Sequence, residues 1–265
     1  MSNIISANAL FHFTPKIEYL ISILENGFYP RYCIEDIGAF TPKKMGLKLV
    51  AQPMVCFCDI TLSMISPHLD KYGRYGIGMN KSWGSNKAIC PVMYIDNNST
   101  SSNLINHIHW NTFVASLKEM QSNCTEITAG FLALRIFFKA LNGKLYSNGK
   151  FSDTTYNFYE EREWRYVPVY ELSRLGNSNP IFRAFLEEEE FNNETFRNKH
   201  NDLLSKNCSL NFAPEDIKYL FVSDKNELNT LVDYLESKYT KDKGQTETWN
   251  LYRKIIITSE LLEDT

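Results

Sequence analysis

The sequence predicts an α+β fold with a mixed or antiparallel sheet and flanking helices. Short apolar runs that are typical of strands alternate with segments whose apolar residues recur at helical spacing. The 265 residues contain no internal repeat and no linker long enough to divide the chain. Residues 1–265 are therefore expected to form a single domain.

The first strand and helix have the clearest local signals. Residues 9–13 predict a short strand, Thr14 is a candidate helix cap, and Pro15 suits the first helical position. Gly27 is the expected end of the helix. One apolar helical face is predicted from Ile17, Leu20, Ile21 and Leu24.

The middle of the chain is less regular. Residues 38–53 are polar, contain Gly and Pro, and are interpreted as a loop. Further strands are predicted at residues 54–60, 75–79 and 88–95, and helices at residues 104–120 and 125–141.

The last hundred residues predict strands and helices around a charged region. Residues 163–169 read as a strand whose alternation places Glu163 and Arg165 on one face. Residues 182–207 are charged, have little periodicity, and are interpreted as a charged insertion or solvated helix. A strand at 217–222, a helix capped by Asp224 and a strand at 254–258 complete the chain.

Composition narrows the function classes. The formal net charge of −3 argues against a chain that binds polyanions with its whole surface. The six cysteines include no Cys-x-x-Cys pair and are interpreted as small core residues in a reducing compartment. The first residues lack a signal-peptide pattern and no run resembles a membrane span, so a cytoplasmic protein with no membrane contact is expected.

Three polar points stand in apolar, strand-like surroundings: His12, the pair His68 and Tyr72, and Glu163. A histidine, an aromatic ring and a carboxylate could bind a planar, phosphate-bearing ligand, and the carboxylate could stabilise a developing oxocarbenium cation. The alternative is structural: a hydrogen-bonded histidine at a strand end, and a sheet-face ion pair between Glu163 and Arg165 that contributes little where exposed. No residues have the spacing of a metal site.

Two family resemblances follow from motifs in the sequence. The stretch LFHFTPKIEYLISILENGFYPR resembles the first strand and helix of DarT-like ADP-ribosyltransferases, in which a His-x-Thr follows an aromatic residue. The full chain is more similar to the AbiGi family of abortive phage-resistance proteins. That similarity also includes VCFCDITLS, KYGRYGIGMNKSW and EREWRYV.

The transferase resemblance implies an ADP-ribosyltransferase-like split sheet and NAD as substrate. His12, Phe13 and Thr14 would then meet NAD, and Glu163 would be the catalytic residue, although Glu160 and Glu161 compete for that role. The same resemblance adds four further NAD-binding candidates: Arg31, His68, Tyr72 and Arg165.

Three functions are compatible with these observations. The first is an anti-phage effector or toxin that transfers ADP-ribose from NAD to a protein or nucleic acid. The second, implied by the AbiGi resemblance, is a non-catalytic antitoxin or sensor that binds a partner toxin. The third is a metal-independent nuclease in which His12, His68 and Glu163 act as acid and base.

Overall fold

The described residues form two compact units. A computed structural model of the protein describes residues 7–43, 48–118, 134–147, 149–179 and 181–263. The first unit is drawn from Met1–Tyr29, Cys56–Cys90 and Ser209–Thr265, and the second from Pro30–Val55 and Pro91–Cys208. A single domain over residues 1–265 stays a prediction.

The described chain contains both β-strands and α-helices. The strands are β1 (Ala9–Thr14), β2 (Arg31–Asp36), β3 (Leu49–Cys58), β4 (Tyr75–Asn80), β5 (Cys90–Pro91), β6 (Met93–Ile95), β7 (Phe138–Ala140), β8 (Asn142–Gly143), β9 (Tyr146–Ser147), β10 (Lys150–Phe151), β11 (Tyr156–Asn157), β12 (Glu163–Tyr166), β13 (Leu186–Glu187), β14 (Ile217–Val222) and β15 (Ile255–Ile257). The α-helices are α1 (Ile17–Asn26), α2 (Ser66–Tyr72), α3 (Lys81–Asn86), α4 (Thr100–Lys118), α5 (Val169–Ser178), α6 (Glu188–Asn192), α7 (Glu194–Asn207), α8 (Lys225–Tyr234), α9 (Thr240–Lys243), α10 (Gln245–Tyr252) and α11 (Thr258–Glu263).

The sheet of the first unit is mixed. Strand β4 lies between β1 and β14 and is antiparallel to both, while β15 is parallel to β14. The β1–β4 register pairs His12 with Ile77, and Phe11 also pairs with Cys58 at the end of β3. The predicted α+β class with a mixed sheet and flanking helices is confirmed.

The β1–α1 junction differs from its prediction at one end and agrees at the other. The predicted cap is wrong: the residue before the helix is Lys16, and the Thr14 hydroxyl donates a 3.0 Å hydrogen bond to the Lys16 carbonyl. The predicted end is confirmed, because Gly27 has a φ of 76° and its N–H donates to the Ile23 carbonyl. A glycine adopts that conformation without steric cost.

The second unit contains strands in a region predicted to be a loop. Strand β2 pairs with β3 in an antiparallel ladder from Arg31 opposite Met54 to Asp36 opposite Leu49. The interpretation of residues 38–53 as a loop is therefore wrong from Leu49 onward, although the predicted strand at 54–60 does lie on β3. Residues 49–53 form a strand because they pair with β2, and the composition of a segment does not show which strand it will pair with.

Three other predicted elements were placed too broadly. The predicted strand at 88–95 is two short strands, β5 and β6, because Pro91 has no N–H to continue a ladder. The predicted helix at 125–141 is wrong at its end: residues 138–140 form β7, which is parallel to β6, and residues 125–133 lie outside the described residues. Strand β12 ends at Tyr166, and a helix begins at Val169 after Pro168.

The charged region 182–207 contains regular structure. Strand β13 pairs with β3, and the helices α6 and α7 follow it. Helix α7 buries His200, Asn201 and Leu204, so it has a packed face as well as a solvated one.

In the part of the chain that the structure describes, none of the helices combines the length and the apolarity that a membrane span requires.

Candidate functional site

His12 is a neutral histidine packed within the first unit. Its Nδ1 lies 2.8 Å from the Cys56 carbonyl, and since a carbonyl only accepts, Nδ1 carries the proton. Burial lowers the pKa of His12 below its usual value, and the hydrogen bond to Cys56 offsets part of that effect. The backbone bond therefore fixes the ring orientation of the residue predicted to meet NAD.

Aromatic rings surround His12. Its ring centroid lies 5.3 Å from that of Phe28, edge to face, and 5.8 Å from that of Phe57. Trp83 contacts both of these phenylalanines, at 6.0 and 5.9 Å between centroids. These contacts are those of a structural histidine in an aromatic cluster.

Phe13 and Thr14 do not share the surroundings of His12. Strand alternation turns Phe13 to the opposite face of β1, where its ring lies 6.0 Å from Phe11 and 5.6 Å from Phe221. The Thr14 hydroxyl is engaged with the Lys16 backbone. The three consecutive residues predicted to bind NAD thus have separate local partners.

His68 and Tyr72 lie together on helix α2. They are four residues apart, on one helical face, with ring centroids 6.2 Å apart. His68 is buried, whereas Tyr72 is 38% exposed and has the Lys71 ammonium 5.1 Å from its ring centroid. Both residues belong to the first unit, as His12 does.

Glu163 and Arg165 belong to a buried charge cluster in the second unit. We define the charge cluster as Glu35, Lys139, Glu161, Glu163 and Arg165. Arg165 is 0% exposed, and its Nε donates a 2.6 Å hydrogen bond to Oε1 of Glu163. The sheet-face ion pair that the sequence offered as the structural alternative is therefore present, and because it is buried, the small contribution of exposed pairs does not apply to it.

Arg165 also has partners on two other segments of the second unit. Its Nη2 donates to Oε1 of Glu35 on β2, and its Nη1 donates to the Ile136 carbonyl at 2.6 Å. The planar guanidinium thus connects β12, β2 and the residues before β7, a geometry that only arginine provides.

Lys139 is the second cation of the charge cluster. Its Nζ donates to Oε2 of Glu163 at 2.5 Å and to Oε2 of Glu161 at 2.6 Å, and Oε1 of Glu35 lies 3.7 Å away. Both carboxylate oxygens of Glu163 therefore accept hydrogen bonds from cations. When all five side chains are ionised, three carboxylates and two cations leave a formal charge of −1.

The backbone between the two glutamates permits this convergence. Glu161 ends a 3₁₀ turn and Glu163 begins β12, and Arg162 between them has the left-handed conformation φ 44°, ψ 49°. Such a conformation costs a residue other than glycine about 1–2 kcal/mol. In this chain the left-handed conformation of Arg162 lets the carboxylates of Glu161 and Glu163 both reach the Lys139 ammonium.

Mutual charge fixes the ionisation of the charge cluster. Burial alone would raise the pKa of Glu163, but Arg165 and Lys139 outweigh burial and leave that pKa well below its usual value. Burial would likewise lower the pKa of Lys139, but Glu163, Glu161 and Glu35 raise it well above its usual value. Glu163 is therefore a carboxylate, and Lys139 an ammonium, at neutral pH.

The charge cluster predicts a loss of stability in acid. Because the pKa of Glu163 is lowered by folding, its contribution is present above the unfolded-state pKa of about 4.3 and is lost as the pH falls below it. We expect the stability difference between wild type and Glu163→Gln, measured by urea unfolding, to be largest at pH 7 and to narrow toward pH 3. A difference that stays constant with pH would contradict this assignment.

The predicted site residues fall into two groups. His12, Phe13, Thr14, His68 and Tyr72 belong to the first unit, while Arg31, Glu163 and Arg165 belong to the second. Arg31 is exposed at the start of β2. A shared NAD pocket formed by these two groups stays a prediction.

Sequence reasoning missed Lys139 and Glu35 as partners of Glu163. One signal was present: Lys139 is an isolated cation after the apolar run Ile136–Phe138, and buried lysines require a carboxylate partner. No comparable signal marked Glu35, whose strand was not predicted. Among the described residues, no group of three or more His, Cys, Asp or Glu side chains is placed to hold a metal ion.

Comparison with known proteins identifies the family to which the chain belongs. The model of a family described as "Putative abortive phage resistance protein AbiGi, antitoxin" matches residues 26–223. The chain therefore belongs to the AbiGi family of abortive phage-resistance proteins, which confirms one of the two resemblances seen in the sequence. It is also similar to a particular protein, "Abortive phage resistance protein AbiGi" from Lactococcus lactis subsp. cremoris, with 28% identity over 257 residues, 89% of this chain and 99% of that one. No solved structure matches the chain significantly.

Proposed function

We propose that this chain is the antitoxin of an abortive-infection pair and that it neutralises a toxin by binding it, without catalysing a reaction. The family whose model matches residues 26–223 is described as an antitoxin. This proposal corresponds to the second of the three functions considered from the sequence.

The geometry of Glu163 is the observation that carries the proposal. A carboxylate that polarises a ribose hydroxyl or stabilises an oxocarbenium cation needs an oxygen directed at the substrate. In this chain Oε1 of Glu163 accepts from Arg165, and Oε2 accepts from Lys139 and from Arg165. These bonds favour a structural role for the carboxylate that the transferase resemblance makes catalytic.

The packing of His12 supports the same proposal. Its protonated nitrogen bonds to a backbone carbonyl within the first unit, and its ring contacts Phe28 and Phe57. A histidine with these partners is explained by the fold alone.

Growth rescue tests the proposal. The chain would be co-expressed with each protein encoded by the genes that flank its own, and those that arrest growth alone are the candidate toxins. We expect the chain to restore growth with one of them, to copurify with it, and to cause no arrest by itself. Arrest by the chain alone, or no rescue of any toxic neighbour, would contradict the proposal.

Two variants separate binding from catalysis. Glu163→Gln and His12→Asn should both retain rescue, provided that circular dichroism shows them to be folded. His12→Asn is a matched change, because its side-chain amide can still donate to the Cys56 carbonyl. Loss of rescue in both folded variants would argue that these residues act directly.

The enzymatic alternatives have their own readout. Purified wild type and Glu163→Gln would be incubated with NAD and a cell lysate. Under the antitoxin proposal neither releases nicotinamide above the level of a sample without the protein. Release by wild type alone would instead favour the ADP-ribosyltransferase hypothesis, with NAD bound near His12 and Thr14, and cleavage of nucleic acid without NAD consumption would favour the nuclease.

A further inference from the structure

Two large apolar side chains project from one short segment of the second unit. Ile181 is 56% exposed and Phe185 is 49% exposed, whereas their neighbours Phe182 and Leu186 are 5% and 0% exposed. Aromatic side chains are enriched in protein–protein interfaces relative to the rest of the surface. Arg183 and Ala184 are also exposed, so Phe182 and Leu186 fix the segment to the second unit while the residues between them face outward.

Three contacts anchor this backbone within the second unit. Leu186 pairs with Ala51 in an antiparallel ladder, and the Arg183 carbonyl accepts a hydrogen bond from the Tyr32 hydroxyl. The Ile181 carbonyl lies 3.1 Å from Nε2 of His200, which is itself 0% exposed. The backbone at Phe185 is thus held between fixed points, and an ordered backbone loses less entropy on binding.

A dense negative charge follows Phe185 directly. Residues 181–194 contain five glutamates and one arginine, a formal charge of −4. Glu187, Glu188 and Glu189 are exposed, and Glu188 accepts a 2.5 Å hydrogen bond from the Tyr146 hydroxyl. The glutamates therefore begin two residues after Phe185, and one of them, Glu188, has a defined hydrogen-bond partner.

The surface around Ile181 carries both positive and negative charges. Ile181 and Leu203 contribute to an open groove of about 570 Å³ along helix α7, which is also lined by Lys199, Asp202 and Lys206. The groove has mixed charge, so the run of glutamates belongs to the part of the segment after Phe185.

We propose that Ile181, Phe185 and Glu187–Glu190, here called the acidic-apolar surface, form the contact surface for the toxin. The partner surface would have an apolar socket for Phe185 and basic residues opposite the glutamates. An apolar centre with a charged rim is the usual anatomy of an interface, and aromatic anchors dominate binding energy. This inference rests on the proposed antitoxin function.

A second copy of this chain fits the acidic-apolar surface less well. Two-fold symmetry would place the same surface on both partners. The glutamates of the two copies would then approach each other, and like charges across an interface weaken it. A basic protein avoids that repulsion.

Binding measurements on the toxin identified by growth rescue test the inference. We expect Phe185→Ala to weaken binding at least tenfold in isothermal titration calorimetry, and Ile181→Ala less. Glu189→Lys should also weaken binding and reduce its dependence on salt, because it reverses one charge of the rim. Trp249→Ala and Glu263→Lys are matched controls in the first unit, where Trp249 is 58% exposed, and should change affinity less than twofold.

The outcomes distinguish this inference from the proposed function. If wild type rescues growth and Phe185→Ala and Glu189→Lys bind the toxin as wild type does, the acidic-apolar surface is wrong while the antitoxin function stands. If wild type neither rescues nor binds any toxic neighbour, both proposals fail. If Phe185→Ala dissociates a dimer of this chain and leaves toxin binding unchanged, the surface joins two copies instead, and the inference is overturned.

Discussion

Replacing Arg165 by methionine is expected to destabilise the protein by about 3–5 kcal/mol, which is typical when one partner of a buried ion pair is removed. Arg165 is 0% exposed and donates to Glu163, to Glu35 and to the Ile136 carbonyl. Methionine fills much of the same volume but donates no hydrogen bonds. Glu163 and Glu35 then keep Lys139 as a cationic neighbour, and the Ile136 carbonyl loses the guanidinium donor. Urea unfolding at pH 7 measures the change in the free energy of unfolding.

A double substitution tests whether unpaired charge causes that loss. In Glu163→Leu/Arg165→Met the carboxylate is removed together with its guanidinium partner, and apolar replacement of a buried pair is often close to neutral. We therefore expect the double variant to be more stable than Arg165→Met alone. Additive losses from the two single substitutions would show that the pair is not coupled and would contradict the cluster as an electrostatic unit.

An exposed ion pair gives the matched control. Lys225 and Glu260 lie 3.2 Å apart, with side chains 80% and 53% exposed. Exposed pairs contribute about 0–1 kcal/mol, so Lys225→Met should change stability by no more than about 1 kcal/mol. The contrast between Arg165 and Lys225 separates the effect of burial from that of charge pairing as such.

Local sequence signals predicted the elements whose ends are set by their own residues. Helix α1 ends at Gly27 and helix α8 begins after Asp224, whose carboxylate accepts from the Asn226 and Glu227 N–H groups. Strand β14 agrees with its apolar run at 217–222. In each case a cap or an uninterrupted apolar pattern decided the structure, and these features are visible in one sequence.

Some elements that depend on distant partners were not predicted. Strand β2 and the first half of β3 stabilise each other as a pair, and β7 is a strand because it lies beside β6. The apolar run that contains Phe138 is compatible with a buried helix or a buried strand. The choice was made by a segment more than forty residues away.

The candidate site also has features that the local sequence predicts and features that depend on distant strands. Strand alternation correctly placed Glu163 and Arg165 on one face, since that follows from a period of two. Their burial and their bonds to Lys139 and Glu35 depend on β7 and β2, which were not predicted. The sequence therefore indicated which residues are important in this strand and could not show whether they bind a ligand or each other.

Replacing Gly73 by alanine is expected to destabilise the first unit by about 3 kcal/mol, through strain of about 1–3 kcal/mol and a backbone clash in addition. Gly73 ends helix α2 with a φ of 113°, and a Cβ there would lie 2.3 Å from the Thr14 carbonyl oxygen and 2.4 Å from Cα of Pro15. Both contacts are with backbone at the end of β1. The strand could relieve them only by moving the segment that carries His12.

Substitutions at two other glycines separate the cost of backbone strain from the cost of a steric clash. Gly244 also has a positive φ, of 93°, but a Cβ there would meet nothing within 4 Å, so Gly244→Ala should cost only the strain of about 1–3 kcal/mol, without the clash. Gly176 lies within helix α5 with open space around it, so Gly176→Ala should stabilise the protein by about 0.5–1 kcal/mol. We expect the midpoints of thermal unfolding to rank Gly176→Ala above wild type, then Gly244→Ala, then Gly73→Ala. Equal losses for Gly73→Ala and Gly244→Ala would mean that α2 and the end of β1 separate easily, and that the close contact at Thr14 does not hold His12 in place.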